Sequence, residues 1–279
     1  MSVAVFTDSG CDLTAADASA AGISIIPIWI IAGGQRKRDG VDIDREATLA
    51  RITAGEVITT EPPTEEEYEA AFKRALDAGN EVVMVTLNAQ ISQCYARASA
   101  VAKKLANVHV IDSRSASGGE SLLALYAAEL AKAGKSAPEI VQLADPVKLK
   151  LTSLFALPDL AALGRSGRLP KAIIALGSML NVSLLLKMNE NGVGPAGQSF
   201  SFEKTCDLMV ESLVRAIDRN PRARVAFGHV RAGDTVARLS KLLEEKLGAK
   251  PSVEQVREAP PTLVAHIGVG AIGVFAILP

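Results

Sequence analysis

In the first half of the sequence, short apolar runs alternate with segments of helical pattern. The apolar runs cover residues 3–6, 23–31, 82–87 and 108–111. Caps and stop residues predict helices from Thr14 to Gly22, from the Thr64-Glu-Glu-Glu67 capping box to Gly79, over 92–105 and over 119–133. Because these strands are continuously apolar and alternate with helices, we expect a parallel sheet with helices on both faces.

The second half follows a different order, in which several strands come without a helix between them. Strands are predicted at 149–155, 182–188, 223–229, 252–256 and 273–278, and helices at 158–164, 203–218 and 234–247. This order predicts a mixed or antiparallel sheet with helices. We therefore expect an α/β protein of two domains, an α/β/α domain at 1–147 and a mixed α/β domain at 148–279.

Two local features of the first half modify this picture. Pro27 lies inside the second apolar run and suggests an edge strand or a bulge there. The run is closed by Gly33-Gly34, and the basic segment Arg36-Lys-Arg38 follows beside Asp39, Asp42 and Asp44. We interpret that basic segment as a solvated loop.

Composition narrows the class of protein. The 279 residues are 48% apolar and only 4% aromatic, with 30 Lys+Arg against 31 Asp+Glu. The high apolar fraction excludes a disordered chain. The near balance of charge argues against nucleic acid as the main partner, because binding to phosphates needs a concentrated basic face on the protein. The apolar residues either fill a large core or also line an internal ligand cavity; composition alone leaves both open.

The cysteines and the N-terminal segment indicate in which cellular compartment the protein is expected. Cys11, Cys94 and Cys206 lie far apart, and with three histidines the chain offers no zinc-site spacing. Sparse cysteines suit a reducing cytoplasm. The N-terminal apolar run turns acidic at Asp8 and has neither the basic start nor the length of a signal peptide. The longest apolar runs, 23–32 and 269–278, are too short to span a bilayer. We expect a cytoplasmic protein with no metal and no transmembrane segment.

Small polar residues follow three predicted strands of the parallel sheet. They are Thr7-Asp-Ser9, Thr86-Leu-Asn88 with Ser92 beyond it, and Asp112-Ser113. Hydroxyl groups and helix N-termini at one edge of a sheet suit a carboxylate or phosphate ligand. The same residues are also common in caps and turns, and both interpretations remain open here.

A glycine-rich segment near the C-terminus carries the last candidate chemistry. Residues 268–273 match G-x-G-x-x-G, but only six residues follow, too few for a nucleotide-binding unit. We expect these glycines to permit close backbone approach instead. His266 precedes them and is the best histidine for ligand contact. A hydrolase using Ser92 and His266 remains an alternative, although Gln90-Ile-Ser-Gln-Cys94 is not a nucleophile elbow.

Six segments, taken in order, resemble those of the DegV family, the fatty-acid-binding subunits that serve bacterial fatty acid kinase. The resemblance covers essentially the whole chain. The segments are Thr7-Asp-Ser-Gly-Cys-Asp-Leu13, Thr59-Thr-Glu-Pro62, Thr86-Leu-Asn-Ala-Gln-Ile-Ser-Gln-Cys-Tyr95, Val110-Ile-Asp-Ser113, Gly164-Arg-Ser-Gly-Arg168 and His266-Ile-Gly-Val-Gly270.

The resemblance implies a non-catalytic carrier that holds one long-chain fatty acid, such as palmitate, in the cleft between its two domains. The carboxylate would be bound by Thr60, with Thr59, and by Ser92 and His266, and Arg168 would lie near it. The bound acid would be the only ligand, and a separate ATP-dependent fatty acid kinase would act on it. The alternative stays a Ser/His hydrolase acting on an acyl substrate.

Two departures from the family pattern concern charge. Glu61 stands where the family has Gln, and its carboxylate would repel the ligand unless it is protonated or turned away. The segment from Pro195 to Phe200 lies where relatives carry several basic residues, which affects docking to a kinase.

Overall fold

The computed structural model of the chain describes residues 1–170, 173 and 182–278. Its strands are β1 (Ser2–Asp8), β2 (Ile23–Ile26), β3 (Trp29–Ala32), β4 (Gln35–Arg38), β5 (Thr59–Glu61), β6 (Asn80–Thr86), β7 (Val108–Asp112), β8 (Thr152–Ala156), β9 (Ser183–Asn189), β10 (Gly192–Ser199), β11 (Arg224–His229), β12 (Ser252–Glu258) and β13 (Ile272–Ile277). Its helices are α1 (Ala15–Ala21), α2 (Arg45–Thr53), α3 (Glu65–Asp77), α4 (Cys94–Ala102), α5 (Ser117–Lys132), α6 (Ala137–Leu149), α7 (Ala161–Arg165), α8 (Phe202–Ala216), α9 (Gly233–Leu247) and α10 (Pro261–Ile267).

The first large sheet is parallel throughout, in the order β2-β1-β6-β7. Its central strand β6 shows why the strands are continuously apolar. Val82 and Met84 pack with Phe72 of α3, whereas Val83 and Val85 pack with α5 on the opposite face. Alternate side chains of a strand point to opposite faces, so a sheet covered on both sides needs apolar residues at every position. The predicted parallel sheet is confirmed.

The second large sheet has the order β10-β9-β8-β13-β11-β12 and is mixed. All its neighbouring pairs are antiparallel except β11 and β12. Helices α8 and α9 cover one face. The predicted mixed sheet is confirmed, although its first strand begins at Thr152 because α6 continues to Leu149. The division into two domains at residue 147 stays a prediction.

A small antiparallel sheet, β4-β3-β5, lies in the first half and was not predicted. The apolar run 23–31 is two strands rather than one, with Pro27 between them. The interpretation of Arg36-Lys-Arg38 as a loop is wrong, because these residues form most of β4. Gly33 and Gly34, both at positive φ (57° and 73°), make the tight turn that pairs β4 with β3.

The charges of β4 are compensated by neighbouring side chains, which is why a basic segment can form a strand. Arg36 stacks on the Trp29 ring at 4.5 Å and forms an ion pair with Glu61. Arg38 forms an ion pair with Asp42 at 2.9 Å. The backbone is therefore free to pair with β3 while the side chains stay at the surface. Helices α2, α6 and α10 and strand β10 were also not predicted.

Helix α5 packs between the two large sheets. Its buried face shares one core cluster with Val83 of the first sheet and with Ala226 and Phe275 of the second. The approach is close at Gly118, where an added Cβ would lie 2.7 Å from Phe275 Cδ2 and 2.8 Å from Ala226 Cβ. Only glycine fits there, so this residue fixes the distance between helix and sheet.

We expect the substitution Gly118→Ala to lower the free energy of unfolding by about 1–3 kcal/mol, because the new methyl group must displace Phe275 or α5. Urea denaturation of the purified chain measures the change. Gly194→Ala is the matched control, since nothing lies within 4 Å of a Cβ at that position. Equal stability of the two variants would show that α5 has room to move.

Candidate functional site

A cavity of about 570 Å³ lies where the C-terminal edge of the first sheet meets the second sheet. Leu87 and Ser92 follow β6, Ala116 precedes α5, and His266 comes from α10. Most of the wall is apolar: Ile28, Leu87, Ile91, Ala116, Phe155, Leu157, Leu163, Met188, Val193, Ala259, Leu263, Ile267, Ala271, Ile272 and Phe275 line it. Thr60, Ser92, Arg168 and His266 line the same cavity. Part of the apolar composition thus lines a cavity instead of filling the core.

A hydrogen bond joins two of the predicted site residues, which are distant in sequence. Thr60 Oγ1 lies 2.8 Å from His266 Nε2. Thr60 pairs with the fully buried Ile30 of β3, so its side chain faces inward. Thr59 and Glu61 point to the opposite face of β5, as neighbours in a strand must. Thr59 is not among the residues that line this cavity, whereas the exposed Glu61 is.

A second cavity, of about 250 Å³, adjoins the first at His266. Thr59, Arg165 and Ser166 line it together with His266. The structure thus brings Thr60, Ser92, His266 and Arg168 to one cavity and places Thr59 in the other.

His266 is a neutral group in this environment. Burial, and then the charge of Arg168, lower the pKa of its imidazole to about 4. Its Nδ1 is buried and has no hydrogen-bond partner among the described residues. A proton on Nδ1 would be a buried donor without an acceptor, so we assign the proton to Nε2. Nε2–H then donates to Thr60 Oγ1, and the hydroxyl proton of Thr60 is free for a ligand.

Ser92 occupies the loop between β6 and α4. Its Oγ accepts a hydrogen bond from Cys94 N at 3.2 Å, at the start of α4, and donates to Cys94 Sγ at 3.1 Å. Sulfur is a weak acceptor, so this hydroxyl proton can turn to a stronger oxygen acceptor. The loop itself is anchored by Leu87 N, which donates to the buried carboxylate of Asp8 at 2.9 Å.

The guanidinium groups of Arg97 and Arg168 line the cavity. No described carboxylate lies within ion-pair distance of either group. Arg168 donates to Ser166 O at 2.6 Å and to Ile91 O at 3.3 Å. Burial lowers the pKa of Arg168, but an arginine stays charged at neutral pH.

The carboxylate of Glu61, in contrast, is paired with Arg36 at 3.2 Å, and its side chain is 53% exposed. Glu61 lines the cavity, but its negative charge is compensated by Arg36, so the polar part of the cavity favours an anion.

Most of the polar residues that follow the strands are used to hold loops. Asp8 accepts hydrogen bonds from Gly10 N and Leu87 N, both at 2.9 Å. Asp112 accepts from Ala89 N at 3.2 Å and Arg114 N at 2.9 Å. For these residues the interpretation as turn and cap residues is confirmed, and Ser92 is the strand-end hydroxyl that reaches the cavity.

The glycine segment behaves as predicted. Gly268 ends α10 at a φ of 73°, and a strand, β13, follows it where a nucleotide-binding unit would need a helix. A Cβ on Gly273 would lie 2.7 Å from the Phe275 ring. Close approach at Gly273 is thus confirmed.

Among the polar residues of the cavity that sequence analysis missed are Arg97 and Thr262. Arg97 on α4 donates to the carbonyl oxygens of Pro62 (3.0 Å) and Pro63 (3.1 Å), and so ties the loop after Thr60 to the helix after Ser92. The sequence signal for Arg97 was its position in the helix predicted directly after Ser92. Thr262 lies one helical turn before His266, within a helix that was not predicted.

Two further properties of the described residues concern metal ions and membranes. No group of three or more His, Cys, Asp or Glu side chains there is arranged to hold a metal ion. Among the same residues, no helix is both long enough and apolar enough to cross a membrane.

The fold and the cavity define an α/β protein with an internal site that is apolar along most of its wall and polar near Thr60, Ser92 and His266. The chain belongs to the DegV family, because a family model described as uncharacterised protein, DegV family, matches residues 2–278. A DegV domain-containing protein of Deinococcus radiodurans is 30% identical over 281 residues, 98% of each chain. The family resemblance is confirmed.

Solved structures of this family share the whole fold. DegV from Bacillus subtilis, described as a fatty acid binding protein, superimposes with a TM-score of 0.88 at 26% identity and covers 100% of both chains. A DegV family protein from Thermus thermophilus, solved in a study of its fatty acid binding, gives a TM-score of 0.91 at 24% identity, again over 100% of both chains.

We expect nuclear magnetic resonance titration to show His266 protonating with a midpoint near pH 4, because burial disfavours the imidazolium. The signal is assigned by its loss in His266→Asn. Since the unfolded chain binds this proton near the ordinary pKa of 6.5, His266 removes stability as pH falls from 6.5 towards 4. Arg168→Met should raise the midpoint. A midpoint near 6.5 in the intact chain would contradict the buried, neutral ring.

Proposed function

We propose that this protein binds one long-chain fatty acid, such as palmitate, with its carboxylate at Thr60, Ser92 and His266. The observation that carries the proposal is the cavity itself, which combines a long apolar wall with hydroxyl and imidazole groups at one place. The fatty-acid-binding description of the Bacillus subtilis relative supports it.

The head group would receive hydrogen bonds from neutral donors. Thr60 donates its hydroxyl proton because His266 Nε2–H already fills one acceptor position on the same oxygen. Ser92 donates by turning from Cys94. Arg168 adds positive potential, and its Nε and Nη1 donate to the carbonyl oxygens of Ile91 and Ser166. The two hydroxyl groups can thus satisfy the carboxylate without requiring a direct ion pair with arginine.

The acyl tail would supply most of the affinity. At ~0.8 kcal/mol per buried methylene, about 14 methylenes contribute roughly 11 kcal/mol before the costs of association. Buried residues such as Leu87, Leu157 and Phe155 form the wall that receives the tail. A volume of about 570 Å³ suits one such ligand, since ligand cavities span about 300–1,000 Å³.

We further propose that the protein presents the carboxylate to a separate ATP-dependent kinase. Glu61, Gln90 and Gln93 are exposed, and they line the cavity close in sequence to Thr60 and Ser92, whereas most of the apolar wall is buried. The head group would thus lie at the mouth. Segment 195–200, which contains no lysine or arginine, ends at Phe200, 87% exposed beside the edge strand β10. A kinase partner would have to dock without a basic patch there.

The geometry does not favour the alternative of a Ser/His hydrolase. Ser92 Oγ is engaged with Cys94, and His266 Nε2 with Thr60. No described carboxylate orients His266, since its Nδ1 has no partner among those residues. A catalytic triad needs a hydrogen bond between the serine and the histidine and a second one between the histidine and a carboxylate, and neither is present among the described residues.

We expect Thr60→Val and Ser92→Ala each to weaken palmitate binding by about 10–100-fold, because each removes a hydrogen bond to a charged group. Calorimetry on the delipidated chain measures the change. Thr59→Val is the matched control and should bind as the parent does, since Thr59 faces away from this cavity. If neither variant loses affinity, the head-group assignment is wrong; if the parent chain takes up no long-chain acid, the proposed function is wrong.

A carrier should perform no chemistry alone. We expect the chain incubated with palmitate, ATP and Mg²⁺ to yield no acyl hydroxamate when hydroxylamine is added, because the carboxylate is bound but not activated. It should also show no nitrophenyl ester turnover that depends on Ser92. Acyl hydroxamate formed by the purified chain would contradict the carrier role, and ester turnover abolished by Ser92→Ala would favour the hydrolase.

A further inference from the structure

Helix α10, which carries His266, receives its N-terminal cap from outside the helix. It starts at Pro261 after Pro260, and neither residue offers a side-chain acceptor to the first turn. Asp39 fills this role: its Oδ2 accepts hydrogen bonds from Thr262 N at 3.1 Å and from the Thr262 hydroxyl. Asp39 is only 4% exposed, so both bonds are shielded from water.

The other end of α10 is held by the same small sheet. His266 follows Thr262 by four residues and therefore lies on the same helix face. It meets Thr60 of β5, whereas Asp39 directly follows β4. Strands β4 and β5 flank β3 on its two sides. The three-stranded sheet thus fastens α10 at both ends.

We propose that Asp39 is a positioning residue of the carboxylate site, which fixes α10 along its axis so that the His266 imidazole reaches Thr60. The inference rests on the proposed function for its consequence in binding. The contact between His266 and Thr60, however, is a property of the chain without ligand.

Packing alone does not supply this positioning. Val264 and Leu263 are buried against apolar neighbours, but apolar contacts are non-directional and do not by themselves define one position along the helix axis. The bonds from Thr262 to Asp39 are directional. Asp39 is itself held, since its backbone N–H donates to Ile28 O at 2.9 Å. Burial raises the pKa of Asp39 to about 6, so the carboxylate is mainly ionised at pH 7 and accepts both bonds.

The binding test compares palmitate with methyl palmitate, which has the same tail without the charged head group. In Asp39→Ala we expect palmitate affinity to fall about tenfold while methyl palmitate is little affected. Asp39→Asn is the conservative control: both bonds go to one oxygen, Oδ2, which the amide oxygen can replace. In Asp39→Asn the ratio of palmitate affinity to methyl palmitate affinity should stay nearly that of the parent chain.

A second measurement needs no ligand. In Asp39→Ala the His266 titration midpoint should rise from about 4 towards 6.5, because the ring loses its fixed, buried position; in Asp39→Asn it should stay near 4. If the parent chain does not bind palmitate, the proposed function fails, and this titration still decides the role of Asp39. The inference would be overturned if Asp39→Ala kept both the His266 titration midpoint and the affinity ratio of the parent chain.

A third variant covers the case in which Asp39→Ala does not fold. Thr262→Val removes the hydroxyl bond to Asp39 and keeps the backbone bond. It should shift the His266 midpoint in the same direction by a smaller amount. An unchanged midpoint in a folded Thr262→Val chain would also count against the role of Asp39.

Discussion

The distance between helix α5 and the second sheet governs the rest of the architecture. Gly118 lets the start of the helix contact Ala226 and Phe275 directly, and any side chain at that position would separate the two. The residues just before this contact, Ala116 and Ser117, line the cavity. The same close packing that joins the two halves of the chain therefore sets the depth of the space in which a ligand can lie.

Around the start of α5, buried polar groups join the loop after β1 to the helix. Thr7 Oγ1 donates to Glu120 Oε1 at 2.8 Å, and Ser117 donates to Asp12. Burial raises the pKa of Asp12 to about 7 and holds the pKa of Glu120 well above its ordinary value. These acids occupy the edge of the sheet where a ligand's head group would otherwise bind. In the proposed function, the binding chemistry is left to the hydroxyl groups of Thr60 and Ser92, which line the cavity.

The polar part of the cavity combines a neutral imidazole with hydroxyl groups and two guanidinium groups, neither of which pairs with a described carboxylate. Such a set stabilises an anion through hydrogen bonds and potential instead of a fixed ion pair. The affinity then depends mainly on apolar burial and the orientation on the polar groups. This division suits a protein that must hold a carboxylate and leave it open to a second protein, as the proposed carrier role requires.

The sequence determined the layers of the fold. Apolar strands separated by capped helices predicted the parallel sheet, and strands without intervening helices predicted the mixed one, because burial on two faces imposes these patterns locally. Ordered motifs also indicated Thr60, Ser92, His266 and Arg168 as site residues. Which hydroxyl of Thr59 and Thr60 faces the cavity was decided by the pairing of β5 with β3. The cap of the helix that carries His266 comes from Asp39, more than 200 positions away in the chain. Contacts between segments so far apart leave no periodic pattern in either segment, so only the tertiary structure could decide them.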